Sequence, residues 1–347
     1  MMTSNNCFNK RLQELADVSA PSGYENSITK LLASIGAEFG FSPSVDAIGN
    51  LILKKGQGKE KTVLLLAHCD EIGMVVKHID DRGFVFFATL GGIDESLLLG
   101  RHVQINHRGT AVPGVIGSIP TKMGGNCSLS DISSHWIDIG VSSKEDAERF
   151  ISIGDSISFV SPFQELGGGL VVSKSLDNRA GIAVLFEAIS RINGIDLPYN
   201  LSVVFSVQEE LGSMGAIPAS YSVNPDYCIA IDVTNATDYS SISPCKYGDI
   251  RLHRGAVIPV GSNLSPHIQD TLCSIAIKEG IPFQREALPG FCGTDVAQAQ
   301  ISRSGCHTGL ISIPCRYMHS PTEIVSLLDM EAASSLLVAM LRAYSFL

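Results

Sequence analysis

The run Thr62-Val63-Leu64-Leu65-Leu66-Ala67 carries no charge and ends directly on His68-Cys69-Asp70. A short, unbroken apolar stretch of this kind reads as a strand buried on both faces, as in the middle of a parallel sheet covered by helices. Two other stretches have the same character. Asn200 to Val207 ends on Gln208-Glu209-Glu210, and Tyr227 to Ile231 ends on Asp232. Gly309 to Ile313 is a fourth strand, and His319 lies in the loop after it. In open α/β sheets, ligands bind in the crevice beyond the carboxyl ends of the strands. The ionisable residues therefore gather at one end of one sheet.

Between these runs the apolar period becomes helical. Phe8, Leu12, Leu15 and Val18 share a face, as do Ile28, Leu31, Leu32 and Ile35 within Glu25 to Phe39. A helix begins after Asp177 and carries Ile182, Leu185, Phe186 and Ile189. Thr271 to Glu279, Asp295 to Ser302 and Asp329 to Tyr344 also read as helices, and Ser44 to Asp46 with Asn50 to Leu53 as a pair of strands. The expected fold is α/β, a mostly parallel sheet sandwiched by helices.

One segment breaks the pattern. Val75 to Ile79, Phe84 to Ala88, His102 to Ile105, Val112 to Ile119, Trp136 to Val141 and Ser156 to Phe159 are short alternating stretches between glycines and polar turns. Only Lys144 to Ser152 reads as a helix there. That is the profile of a small all-β barrel or sandwich. The expected division is an α/β domain over 1–73 plus 163–347, which carries the gathered ionisable residues, and an inserted β domain over 74–162.

Charge narrows the function classes. The formal net charge is -10. A nucleic-acid binder needs a basic footprint, and an anionic membrane surface attracts basic segments, so neither partner is expected. No apolar run is long enough to span a bilayer, and no apolar signal segment is visible near Met1 to Arg11. Nine cysteines, an odd number without CxxC spacing, read as reduced thiols rather than a disulfide framework. A cytoplasmic location is expected.

Taken singly, the strand-end residues are ambiguous. Asp177 suits a helix N-cap, His319 a structural histidine, and Glu209-Glu210 a solvated loop pair. Together they make a poor structural element, because ionised carboxylates at the mouth of a buried strand need compensation. Two divalent cations provide it. Asp177, Glu210 and Asp232 bring three negative charges, and a bridging hydroxide brings the fourth. Imidazole plus carboxylate ligation suits Zn2+ best, with Co2+ or Mn2+ as alternatives. A two-metal hydrolase also needs a carboxylate not bound to metal to take a proton. Spacing alone does not say whether Glu209 or Glu210 has that role. Adjacent strand-end residues point opposite ways, so one binds metal while the other faces the water.

The chain resembles the family of dinuclear-zinc aminopeptidases. This family includes the tetrahedral (TET), glutamyl and deblocking aminopeptidases, together with proteins labelled cellulase M or endoglucanase. The resemblance rests on Ala67-His68-Cys69-Asp70-Glu71-Ile72-Gly73, Leu176-Asp177-Asn178-Arg179-Ala180-Gly181, Gln208-Glu209-Glu210-Leu211-Gly212, Ala230-Ile231-Asp232-Val233, Gly293-Thr294-Asp295 and Arg316-Tyr317-Met318-His319-Ser320-Pro321. It implies that Asp177 bridges two metals, with His68 and Asp232 on one and Glu210 and His319 on the other. It makes Glu209 the general base and Asp70 the group that holds His68 in its ligating tautomer. It also implies peptide substrates and a homo-oligomer, a dodecamer with inward-facing sites. Met214 and His307 depart from the family pattern, the latter read as a loop histidine. Asp295 is expected to cap its helix, and Gly290 to Gly293 to form a mobile pocket rim. The competing readings are a glycoside hydrolase, which uses two carboxyl groups and typically no metal, and a related metal-dependent deacylase or carboxypeptidase.

Overall fold

A computed structural model describes residues 4–56, 58–124 and 132–343. The fold is mixed α/β, with a large sheet flanked by helices and a separate closed barrel.

Four strands form the centre of the large sheet. Asn200–Ser206, Thr62–His68, Tyr227–Asn235 and His307–Arg316 lie side by side and run parallel. The apolar runs explain why. Along Thr62–His68, Val63, Leu65 and Ala67 join one apolar cluster while Leu64 and Leu66 join another. Alternation by two thus sends successive side chains to opposite faces, and both faces are covered. One face packs on helices Ser4–Ala16, Leu176–Ile192 and Leu327–Ala343. The other packs on Ala216–Val223 and Asp295–Gln300. Burying one Leu stabilises by about 1.5–3 kcal/mol. A sheet centre buried this thoroughly can carry costly polar groups at its end.

The flanks run the other way. Ser42–Val45, Leu51–Lys55, Glu323–Ser326, Leu170–Ser173 and Gln164–Glu165 pair antiparallel. Val45 and Leu51 are joined by a short connection, which suits an antiparallel pair, whereas parallel neighbours need a long crossover. Ala256–Gly261 and Phe283–Leu288 form a parallel branch beside His307–Arg316. The parallel character expected from the sequence is concentrated at the centre, where the site lies.

Helix positions follow the apolar periodicity closely. Phe8, Leu12 and Leu15 are buried on Ser4–Ala16, and the second expected helix is Asn26–Glu38. The closing helix ends at Ala343, and Tyr344, expected to close it, lies outside the described residues.

The barrel is built from Gly73–Ile79, Val85–Leu90, Trp136–Asp138, Thr110–Gly117, His102–His107 and Ser156–Phe159. It has its own apolar core, including Met74, Val76, Val85, Phe87, Val103, Ile105, Ile116, Ile137 and Ile157. The expected helix Lys144 to Ser152 is much shorter. Ser143 caps it by accepting from Asp146 N, but it spans only Lys144–Ala147 before loosening into turns. Only Ala147 and Ile151 are buried there, while Phe150 and Ile153 face outward. So little apolar surface does not hold a longer helix in place.

Candidate metal centre and active site

His68 is the last residue of its strand, and Asp232 lies within the carboxyl half of Tyr227–Asn235. Their neighbour Asp177 comes from the sharp entry to helix Leu176–Ile192. Asn178, not Asp177, does the capping there: its Oδ1 accepts from Gly181 N at 3.0 Å, and its Nδ2 donates to Ile231 O at 2.8 Å. Asp177 has an extended backbone rather than a helical one, and its carboxylate is left free of capping.

That carboxylate faces two histidines. Oδ1 lies 2.9 Å from His68 Nε2, and Oδ2 lies 3.4 Å from His319 Nε2. His68 Nε2 is also 3.6 Å from Asp232 Oδ1, and His319 Nε2 is 3.4 Å from Glu210 Oε2. Two trios result: His68, Asp177 and Asp232, and Asp177, Glu210 and His319. In each, the ligand atoms all lie within 4.8 Å of one another. All five residues singled out as ligands thus meet in one place, with Asp177 common to both trios.

Glu209 and Glu210 do not separate by strand alternation. The strand stops at Ser206, and Gln208 adopts a left-handed backbone (φ 56°) that turns the chain. Asp70 holds this turn: its Oδ1 accepts from Glu209 N at 2.9 Å and its Oδ2 from Glu210 N at 3.1 Å. Ser22 Oγ donates to the same Oδ2 at 2.6 Å. The turn sends Glu210 into the second trio. Glu209 lines the same cavity outside both trios, its Oε1 accepting from Ser213 Oγ at 3.1 Å. Asp70 Oδ1 is 3.4 Å from His68 Nδ1, but that buried nitrogen makes no hydrogen bond. The hydrogen bonds that Asp70 accepts come from Ser22 and from the Glu209–Glu210 backbone.

The electrostatics are those of a negative cluster short of cations. Burial pushes the Glu209 carboxyl up to about 10, with Asp295, Asp232 and Glu210 adding to the rise and His68 opposing it. Glu210 is raised by burial and by Asp177. Asp177 is held low, because hydrogen bonds from His319 and His68 outweigh its burial. Among the described residues no Lys or Arg pairs with Asp177, Glu210 or Asp232; their only ion-pair partners are imidazoles. Mixed imidazole and carboxylate donors, buried except for the half-exposed His319 and without an internal cation, fit divalent metal ions.

Backbone strain clusters at the same place. Ser175 (φ 59°), Gln208 (φ 56°), Tyr317 (φ 59°) and His319 (φ 62°) are left-handed without being glycine. Each such residue costs on the order of 1–3 kcal/mol and tends to persist at functional sites.

Two features had no local sequence signal. Glu323 is buried; its Oε2 accepts from Asp177 N at 2.9 Å and its Oε1 from His319 N at 3.0 Å. It braces the two residues whose side chains meet between the trios. Gly91 and Gly92, just past barrel strand Val85–Leu90, press against the site. A Cβ on Gly92 would stand 3.0 Å from His319 Nδ1, and Gly91 combines φ +82° with close approach to Glu210. A larger side chain at either position would push into the cluster.

Two further expectations are corrected. Asp295 does not cap its helix. Thr294 does, its hydroxyl accepting from Val296 N at 3.4 Å, while the Asp295 carboxylate accepts from Ser206 Oγ inside the protein. Its pKa is pushed up to about 7, by burial first. His307 is not in a loop; it opens strand His307–Arg316 opposite Tyr227, at the end of the sheet remote from Asp232, and stacks on Tyr227. Met214 is exposed in the turn after Glu210, whereas Phe291, Cys292 and Gly293 do form part of the cavity wall.

The match to a known family decides what this geometry belongs to. The family model described as M42 glutamyl aminopeptidase matches residues 49–336. The chain belongs to that family. It is 31% identical to the lysyl aminopeptidase of Pyrococcus furiosus, with 95% of each chain covered. An aminopeptidase from the archaeon Desulfurococcus kamchatkensis superposes with a TM-score of 0.91 at 32% identity, covering 97% of this chain and 95% of that one. The Pyrococcus horikoshii TET1 peptidase, which can assemble into a tetrahedron or a large octahedral shell, gives 0.87 at 34%, covering 96% and 98%. This M42 protein is an aminopeptidase, a hydrolase acting on peptide bonds.

Proposed function

We propose that this aminopeptidase removes N-terminal residues from peptides with two divalent cations, Zn2+ first and Co2+ or Mn2+ as alternatives. His68, Asp177 and Asp232 would hold one, and Asp177, Glu210 and His319 the other. The observation that carries the reading is the Asp177 carboxylate, whose two oxygens each face a different histidine, at 2.9 and 3.4 Å. Bound there, the cations would supply Lewis acidity toward the scissile carbonyl and lower the pKa of a water to near ~7.

The chain's own residues supply the rest. Glu209, in the cavity but outside both trios, takes the proton of the attacking water and returns it to the leaving amine. Asp70 fixes the Glu209–Glu210 backbone so that the base and the ligand keep their separate directions. Glu323 holds Asp177 and His319 in register. The cavity, about 480 Å³, is large enough for the end of a peptide.

A homo-oligomer, with a dodecamer as the specific form, is suggested by the dodecamer and the shells that TET1 relatives form. The catalytic unit is taken as 1–73 plus 163–347 and the barrel unit as 74–162, serving assembly or access. No helix of the described residues is long and apolar enough to cross a membrane, and a cytoplasmic location remains the proposal.

The test is a panel of aminoacyl chromogenic substrates with and without chelator, with Zn2+, Co2+ or Mn2+ restored. Metal-reversible cleavage is expected. Chelator-resistant activity on a β-glucan would favour the glycosidase reading instead, although here the carboxylates are grouped with histidines rather than flanking a sugar site.

A further inference from the structure

One carboxylate in the cavity wall takes no part in the scheme above. Glu286 lies on strand Phe283–Leu288, at one of the alternate positions turned inward with Gln284 and Leu288. Glu286 and Leu288 line the same cavity as Glu209 and the two trios, alongside Phe291 and Met318. The hydrogen bonds to Glu286 come from one neutral group: Thr234 Oγ1 is 3.0 Å from both of its oxygens. Among the described residues no Lys, Arg or His forms an ion pair with it. The basic residue next along, Arg285, is directed elsewhere and donates to Cys273 Sγ. Across the strand pair Glu286 faces Pro259, which offers no charge.

This arrangement is costly as it stands. A half-buried carboxylate with a single hydroxyl partner lacks the cation that normally accompanies it. Burial accordingly raises its pKa, with only the Thr234 hydrogen bond opposing. The missing partner has a definite chemistry. Leu288, Phe291 and Met318 offer apolar surface suited to a run of methylenes, and Glu286 offers a charge-assisted acceptor at its end. Among the described residues no Lys or Arg lines the cavity to receive an acidic side chain.

We infer that Glu286 determines specificity by accepting the side-chain ammonium or guanidinium of the substrate's first residue, so that the preferred substrates are peptides beginning with Lys or Arg. The inference rests on the aminopeptidase centre proposed above. An acidic first residue would bring like charge against Glu286, and an aliphatic one would leave it unpaired.

The test compares lysyl and norleucyl chromogenic substrates on the metal-loaded protein, since their side chains differ at the terminal ammonium. The wild-type ratio of kcat/KM, lysyl over norleucyl, is expected to be about tenfold or more. Glu286→Gln, which keeps shape and an acceptor for Thr234, should reduce that ratio about tenfold, and Glu286→Lys should shift preference toward a glutamyl substrate. Free L-lysine should inhibit the wild type better than L-norleucine and lose that advantage in Glu286→Gln. Thermal melting checks that both variants fold.

A wild-type preference for the glutamyl substrate overturns the inference. So does an equal fall on lysyl and norleucyl substrates in Glu286→Gln, which marks a residue that holds the α-ammonium or the fold. Cleavage of no aminoacyl substrate after metal is restored contradicts the aminopeptidase centre itself, and the inference with it. Cleavage with a lysyl-to-norleucyl ratio near one contradicts the inference alone.

Discussion

Two buried groups of carboxylates stand only a few residues apart in the sequence, and they are neutralised in opposite ways. Glu71 lies three residues after His68, and Lys174 three before Asp177. Glu71 is satisfied from within: Lys174 Nζ is 2.6 Å from its Oε2, Ala20 N donates to its Oε1 at 2.8 Å, Ser175 Oγ donates as well, and Arg179 Nη2 lies 4.0 Å away. Among the described residues Asp177, Asp232 and Glu210 have no such lysine or arginine, only His68 and His319. One segment, Lys174 to Arg179, supplies cations to the first group and a carboxylate to the second. The first group is a closed structural bridge. The second has donors arranged around space for cations from outside.

Breaking the second group should have the largest effect on function. Asp177→Asn removes the shared ligand, so both ions should be lost together and turnover should fall to background. Metal analysis of the purified variant checks this; retention of either ion at wild-type affinity would mean that Asp177 is not common to both sites. Glu209→Gln should differ in kind: both ions stay bound while kcat falls by ~10²–10⁴, the usual contribution of a general base. Activity within a few-fold of wild type would remove Glu209 from that role.

Breaking the first group should affect the fold instead. Lys174→Met leaves Glu71 buried without its nearest cation, at a cost of about 3–5 kcal/mol in stability. Denaturant unfolding should report that loss, while any folded protein keeps its metal. A variant that unfolds normally but fails to bind metal would blur the distinction between the two groups. The smallest effect is expected at Glu323→Gln. It keeps one acceptor but weakens the brace between Asp177 and His319, so metal affinity should fall by ~10–100-fold without loss of the fold. Titration of the metal-free variant measures it.

The unequal legibility of the site has a physical cause. His68, Glu209, Glu210 and Asp232 are readable because each stands at or just past the carboxyl half of a buried strand, and an apolar run followed by ionisable residues is a local pattern. Asp177 needed Asn178 to take over its capping role, a substitution of neighbours that sequence alone leaves open. Glu323 gave no signal, because its strand spans only Glu323–Ser326 and one of its partners, Asp177 N, lies 146 positions away. Gly91 and Gly92 also act across a long range, from the barrel onto His319 and Glu210. The long apolar elements were legible for the same reason as the ligands. The short flanking strands Gln164–Glu165 and Leu170–Ser173 and the brief Lys144–Ala147 helix depend on neighbours too distant for periodicity to register.

The central claim is that the Asp177 cluster is completed by cations from solution whereas the Glu71 cluster is not. The direct measurement is metal stoichiometry on wild-type protein stripped by chelator and then dialysed against Zn2+. Two ions per chain are predicted, with peptide cleavage returning as they bind and with Lys174→Met, where folded, binding the same number. Binding of no zinc, or recovery of full cleavage without any metal, would contradict the account.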